Sequence, residues 1–459
     1  MTNRRSRAVT FSAVLATIAV GLAGCLQDPN AGGGGEDGVE ANADNNSPDG
    51  DGVVTISGSF GGAEAERFAE SLAVIEQETG IDIQYTPDTN FVTNIRQRAS
   101  AGEAPDIGLF PQPGGLLDLA SDGLVQPIDT YLDFDQLDRT LVPGFLESSR
   151  LNGRVYGAPI RMAVKSLVWY PRAPFDSGGY SADPASVQEL MATSDQIKSD
   201  GIAPWCMGWN DAANTGWVGT DWLEEYMLRM HGPDVYDDWV SHQIPFNDPL
   251  VVEALDAFGE LALTDGNVRG GATGIENTSF AESFLPALEN PPLCMMERQG
   301  NFLTSFLPDS TQANLDEEIG VFLFPPYEGG YAGQPILGGG DLAALFNGND
   351  EDAITVMRFL TSDEFGVPWA QAGGWLSPHR TFDVNLYPTE AERSTGQFVA
   401  EADVFRFDGS DLMPSAIGSD AFWDAMVDWV GGADSQTVLT EVEEIWQDLP
   451  SEQDDGSDG

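Results

Sequence analysis

Basic residues are scarce in this chain of 459: 20 lysines and arginines stand against 74 aspartates and glutamates, and Lys165 and Lys198 are its two lysines. A surface of that sign repels nucleic acid and anionic membrane faces, so polyanionic partners are excluded. Histidine is nearly as rare. His231, His242 and His379 sit at spacings that form no metal motif, and no C-x-x-C occurs. A G-x-S-x-G elbow and a Walker phosphate loop are also missing, since Gly32–Gly35 lies in a polar run rather than after a strand. The DGDG and DGSDG runs lack the alternating ligands of a calcium loop. Long apolar runs are absent too: Phe11–Gly21 is too short to span a bilayer, and no other segment approaches 18 uninterrupted apolar residues.

What remains is the composition of a globular protein, 41% hydrophobic and 10% aromatic, with length enough for two or three domains. Abundant carboxylates with few lysines suit life in salt, where self-repulsion is screened. The N-terminus reads as an address. Arg4, Arg5 and Arg7 precede the apolar Phe11–Gly21, and Leu22-Ala23-Gly24-Cys25 follows. That tetrapeptide resembles the lipobox of bacterial and archaeal lipoproteins, which implies cleavage before Cys25 and lipidation of its thiol. A simple cleaved signal and an uncleaved anchor are the alternatives. Sec and Tat export both stay open, because the residues around Arg4-Arg5 match the twin-arginine pattern in part. Residues 26–52 are Gly, Asp, Asn, Glu and Pro with little apolar character, a flexible acidic tether. Residues 451–459 form a disordered tail.

Between them the pattern alternates. Val53–Phe60 reads as a strand, Ala63–Glu78 as a helix with Phe68, Leu72 and Ile75 on one face, Ile81–Thr86 as a strand, Phe91–Ala101 as a helix and Ala104–Phe110 as a buried strand. This βαβαβ order predicts a mainly parallel sheet with ligands at the carboxyl ends of its strands. Gly157–Lys165 and Ser166–Tyr170 form a long extended passage, after which helices and Gly/Pro loops run to about Asp316. Ile319–Pro325 is again a strand, followed by Gly338–Phe346, a helix over Asp350–Thr361, and the closing helices Ser419–Val430 and Ser435–Leu449. Two α/β lobes joined by crossing segments would hinge about a cleft.

The stretch Pro204–Tyr226 concentrates four tryptophans, Trp205, Trp209, Trp217 and Trp222, among Gly, Asn, Thr and Asp. Aromatic faces edged by short hydrogen-bonding side chains match a pyranose, which presents C–H groups on its faces and hydroxyls at its rim. Packing of indoles in a core is the competing explanation.

Residues 204–229, PPLCMMERQGNF at 291–302, GGGDLAALF at 338–346 and DLMPSAIGSDAFWDAMVDWV at 411–430 resemble extracellular solute-binding lipoproteins of ABC importers, in particular those for α-glucosides. The resemblance implies a two-lobed α/β fold of the periplasmic-binding-protein type II, maltose-binding-like kind, with hinge-crossing segments and a central cleft. Its expected divisions are a signal at 1–25, the tether at 26–52, an N-terminal lobe at 53–162 with 318–365, a C-terminal lobe at 163–317 with 366–450, and the tail. It also implies a monomer without enzymatic activity or cofactor, which hands a di- or short oligosaccharide to membrane permease subunits. The chain would be held at the outer face of the cytoplasmic membrane by its lipid alone. Trp209-Asn210-Asp211 and Met295-Met296 depart from the family's usual residues and bear on specificity.

With Cys25 assigned to the lipid, Cys206 and Cys294 are left to pair, two reduced thiols being the alternative. Such a bridge would contribute roughly 4–5 kcal/mol in the chain-entropy model. The candidate stacking platforms are Trp217, Trp222, Trp375 and Trp423, with Phe60 and Phe110 behind them; Trp423 occupies the position where maltose-binding relatives stack a sugar. Trp369, Trp429 and Trp446 read as helix packing. The hydrogen-bonding candidates are Asp106, Asp221, Arg298, Gln299, Asn301 and Asp341, because carboxylate and guanidinium groups make bidentate contacts with vicinal hydroxyls. Glycines 338–340 would let backbone approach the ligand. For Asp106 a turn, for Asp221 the N-cap of a helix Trp222–Arg229, and for Arg298 bonds to backbone carbonyls are the competing roles. A secreted glycosidase or a carbohydrate-binding surface adhesin is the alternative function, since paired carboxylates also serve glycoside hydrolysis.

Overall fold

The computed structural model describes residues 50–88 and 90–449; the lipobox with Cys25, residues 26–49 of the tether and the tail lie outside the described residues. The first strand, β1 (Val53–Gly58), buries Val54 and Ile56, and α1 (Gly62–Thr79) follows, burying Phe68, Leu72 and Ile75 as their helical spacing requires. This helix stops at Gly80, whose φ of 79° lets its N–H reach back to the Glu76 carbonyl. Next come β2 (Asp82–Pro87), α2 (Phe91–Ala101), β3 (Ile107–Phe110), β4 (Gly157–Val164), β5 (Leu167–Pro171) and β6 (Ala203–Trp205). The long α3 (Trp217–Val240) is followed by β7 (Cys294–Arg298), β8 (Ile319–Leu323), β9 (Pro335–Leu345), α4 (Glu351–Leu360), β10 (Val404–Phe407), α5 (Phe422–Val430) and α6 (Ser435–Gln447).

Two sheets organise these elements. The first runs β10-β9-β3-β1-β2, with β4 also pairing β9; the second runs β8-β5-β7-β6. The βαβαβ start is parallel as expected and β9 pairs β10 in parallel, while β9 runs antiparallel to both β3 and β4, so the first sheet has three parallel and two antiparallel pairings. In the second sheet β5 is antiparallel to β7 and β8, and β6 is parallel to β7. Strand membership also moves the expected lobe divisions. Ile319–Leu323 pairs with Leu167–Pro171 in the second sheet, the chain rejoins the first at Pro335, and Val404–Phe407 lies in the first as well. A period-two pattern identifies a strand without naming its partner, which is why these crossings were not legible.

Glycines 338 and 340 have a structural purpose as well. A Cβ at Gly338 would collide with the Ala163 carbonyl and one at Gly340 with the Arg161 carbonyl, so the run permits close pairing of β9 with β4. The register shifts between Asp341 and Leu342. Two apolar cores fill the interior, one around β1, β3 and β9 that also takes Leu167, Trp169 and Ile319 from the second sheet, the other around α3 and α5. The second core absorbs most of the tryptophan-rich stretch. Trp205 and Trp222 meet edge to face at 5.6 Å, and Trp222 stacks on Phe258 at 5.0 Å. Cys206 and Cys294 form a disulfide with a Cα separation of 5.3 Å, joining the ends of β6 and β7.

Candidate ligand-binding cleft

The two-residue alternation of β4 sends Ile160, Met162 and Val164 into the core and leaves Arg161, Ala163 and, just beyond the strand, Lys165 half-buried on the other face. These three line a cavity of about 310 Å³ together with Glu64 from the first turn of α1, Pro111 after β3, Asn301 and Phe302 after β7, Gly339–Asp341 of β9, and Asp408 and Asp411 after β10. Strand ends and one helix start therefore converge on it, as α/β topology leads one to expect. A second chamber of about 460 Å³ shares Glu64, Thr304, Ser305 and Gly374 with the first and adds Arg67, Trp369 and Glu392.

Two cations, each clamped by carboxylates, dominate the wall. The Arg161 guanidinium donates from Nε to Asp341 Oδ2 at 2.6 Å and from Nη1 to Glu64 Oε1 at 2.6 Å. It lies over the Phe60 ring at 4.6 Å and the Trp369 ring at 5.5 Å. Four residues on, Lys165 Nζ donates to Asp221 Oδ1 at 3.0 Å, pairs with Asp408, and sits 5.0 Å from the centre of the Trp217 ring. Burial alone would lower the lysine's pKa; Asp221, Asp408 and Asp411 reverse that and hold it above its ordinary value. Burial pushes the Asp341 carboxyl up, with Arg161 opposing the shift. Asp411 is raised by burial too, against Lys165 and the Gln112 amide that donates to it at 3.0 Å.

Of the residues singled out in the sequence, Asn301 and Asp341 line the cavity itself. Asn301 is positioned by the Val164 N–H, which donates to its Oδ1 at 2.9 Å. Trp217 and Asp221 lie one layer behind, each in contact with Lys165. Trp217 opens α3, its Nε1 donates to Asp211 at 3.1 Å, and its ring is 6.2 Å from that of Phe302. Asp221 lies inside the helix rather than at its N-cap, because α3 begins at Trp217. Trp423 is half-buried, and its backbone packs against Gly216 at the start of α3.

The others are interior groups with structural partners. Phe60 is buried beneath Arg161 and edge-on to Phe68 and Trp369; Phe110 is buried against Phe91. Asp106 accepts from the Thr55 N–H at 2.8 Å and hydroxyl at 2.7 Å, and from Asn347 at 3.2 Å, which ties β1 to the loops after β9 and before β3. Trp222 belongs to the second core, and Trp375 packs on Phe365 and Phe382. Arg298 donates to Glu225 at 3.1 Å, and Gln299 Oε1 accepts from the Gly300 N–H at 2.9 Å. Arg161, Lys165, Glu64, Phe302, Asp408 and Asp411 were not foreseen. One signal was present: two basic residues four apart on an extended segment of a lysine-poor chain share a face.

A two-sheet α/β body with a polar cavity between strand ends is the architecture of a small-molecule binding protein. The chain belongs to the family of bacterial extracellular solute-binding proteins, whose sequence model matches residues 61–366. It is 40% identical over 393 residues to the osmoprotective compounds-binding protein GgtB of Synechocystis, covering 86% of this chain and 92% of that one. To the alpha-glucosides-binding periplasmic protein AglE of Rhizobium meliloti it is 35% identical over 404 residues, covering 86% and 87%. Among solved structures, the bacterial solute receptor AcbH superposes with a TM-score of 0.72 at 20% identity, covering 87% of this chain and 98% of that one. A cyclic alpha-maltosyl-1,6-maltose binding protein from Arthrobacter globiformis gives 0.64 at 16%, covering 86% and 97%. The solved structures show the maltose-binding-like fold, and the family match with the two relatives shows a solute-binding protein of the ABC-transporter kind. Among the described residues no helix is long and apolar enough to cross a membrane.

Proposed function

We propose that the cleft captures an α-glucoside, a disaccharide or short oligosaccharide, and delivers it to the permease of an ABC importer. The observation that carries this reading is the wall of the cavity, where Arg161 with Asp341 and Lys165 with Asp408 set donors beside acceptors next to the Phe302 ring. Vicinal hydroxyls donate and accept at once, so they exchange bonds with such ion pairs without leaving a charge bare. The two chambers, of about 310 and about 460 Å³, lie in the usual size range of small-molecule sites, roughly 300–1,000 Å³. Asp341 and Asp408 are each held in an ion pair, an arrangement for binding rather than for a free acid and base, which argues against a glycosidase.

A glucosylated polyol is the second reading, supported by the 40% identity to a protein named for osmoprotective compounds. Export by the leader, anchoring through lipid on Cys25 and a monomeric state complete the proposal. The test is titration calorimetry with tryptophan fluorescence against maltose, sucrose, trehalose and glucosylglycerol. Binding of any α-glucoside, weakened about tenfold or more by Asn301→Ala and by Trp217→Ala, is the expected result. Silence across the panel ends the proposal.

A further inference from the structure

Behind the Lys165 wall, three carboxylates converge with too little positive charge to balance them. Asp221, Glu224 and Asp408 are at most 1% exposed, and one ligand oxygen from each lies within 4.8 Å of the others. Lys165 takes Asp221 Oδ1 and Asp408 Oδ2, and the Ser410 N–H donates to Glu224 Oε1 at 2.9 Å. Asp221 Oδ2, Glu224 Oε2 and both oxygens of Asp408 accept no hydrogen bond, although Asp408 Oδ2 is ion-paired with Lys165. Arg298 stands 4.0 Å from Asp221 Oδ2, beyond hydrogen-bond reach, and is committed to Glu225. With Glu225 and Asp411 alongside, five carboxylates face three cations, Lys165, Arg298 and Arg229, which leaves two negative charges in the interior, a costly state unless something neutralises them.

We propose that Asp221, Glu224 and Asp408 form a calcium site behind the wall of the cleft. A divalent ion cancels the residual charge. A set made of carboxylate oxygens suits a hard cation rather than a soft one. Oxygens no more than 4.8 Å apart can be reached by one ion bound at about 2.3–2.6 Å, the calcium range, and calcium tolerates an irregular shell where magnesium demands a near-ideal octahedron. Asp221 and Glu224 come from α3 and Asp408 from the end of β10, so the ion ties the helix of the second core to the first sheet directly beneath the cavity. None of this depends on which solute the cleft holds.

The competing way to neutralise the cluster is by protons, and burial with Asp221 alongside does push the Glu224 carboxyl up to about 8. The full chain stripped with EGTA and titrated with calcium chloride separates the two. Surface carboxylates on a protein of net charge −54 bind calcium diffusely, so the decisive readout is the difference between wild type and Glu224→Gln. One saturable site is expected in wild type, with a Tm rise of about 5 °C at calcium a hundredfold above Kd. Both should vanish in Glu224→Gln and in Asp408→Asn. Terbium luminescence sensitised by the nearby indole of Trp217, displaced by calcium, reports the site in wild type should either variant fail to fold. No saturable site in wild type, or an unchanged isotherm and Tm rise in Glu224→Gln, overturns the proposal.

Discussion

Removing the guanidinium of Arg161 should harm the fold more than removing the carboxylate it pairs with. The side chain of Asp341 is 4% exposed and its nearest cation is Arg161, which is itself 23% exposed; Glu64, the other partner of Arg161, is 53% exposed. In Arg161→Met the carboxylate is left buried and unpaired. Loss of one partner of a buried pair costs about 3–5 kcal/mol, and the partial exposure of Arg161 places the cost at the lower end, about 3 kcal/mol. In Asp341→Asn the guanidinium keeps Glu64 and an amide oxygen, so about 1 kcal/mol is expected. The double variant buries no bare charge and should lose less than Arg161→Met alone, a departure from additivity of roughly 2 kcal/mol.

The pH dependence follows from the same geometry. The folded-state pKa of Asp341 is already raised by burial, so this group makes stability fall as pH rises above the ordinary carboxylate range. Without Arg161 the pKa climbs further. The deficit of Arg161→Met should therefore be greatest near pH 7.5 and shrink toward pH 5 as Asp341 takes up its proton. Urea unfolding followed by circular dichroism at both pH values, with unchanged m-values as the control, measures all four proteins. Strictly additive losses, or a deficit that is the same at both pH values, would refute the reasoning.

Replacing both Cys206 and Cys294 by serine removes a bridge spanning 88 residues of sequence and should cost about 4–5 kcal/mol in urea unfolding. The β6–β7 pairing should persist, because the Cys206 N–H still reaches the Met296 carbonyl at 2.7 Å. Glu297 is buried with the Ser283 hydroxyl as its donor, and its pKa is pushed up to about 8 by burial. A raised acid makes stability fall between the ordinary carboxylate value and about pH 8, so Tm should decline from pH 5 to pH 8 in wild type and Glu297→Gln should flatten that decline. A Gly340→Ala variant should unfold more readily than Gly339→Ala, since a Cβ at Gly340 meets the Arg161 backbone whereas at Gly339 the nearest atom is 3.8 Å away; thermal unfolding of the pair checks this.

Local pattern carried much of the fold. The apolar spacing of Phe68, Leu72 and Ile75 requires one buried helical face, and the alternation in VVTISG and IGVFL requires strands, whatever lies elsewhere in the chain. The scarcity of lysine was equally legible, but not that Lys165 would stand in the cleft wall. Which strands pair is a property of distant residues. Ile319–Leu323 joins the second sheet because Leu167–Pro171 presents a free edge there, and nothing in its own five residues says so.

The site divides in the same way. Residue type made Asn301 and Asp341 reasonable hydrogen-bonding groups, and both line the cavity. Residue type could not separate Trp217 from Trp222, five positions apart on one helix. Trp217 stands at the helix start beneath Lys165, while Trp222 turns into Phe258 and Trp205. Nor could it show that Asp106 is occupied by Thr55, or that Asp408, nearly two hundred residues from Asp221, shares its lysine. Sequence by itself determined the acidic character, the alternation of elements and the family. Tertiary structure alone decided which charged groups meet, because a carboxylate becomes a wall, a tie or a cluster according to what burial places within a few ångströms of it.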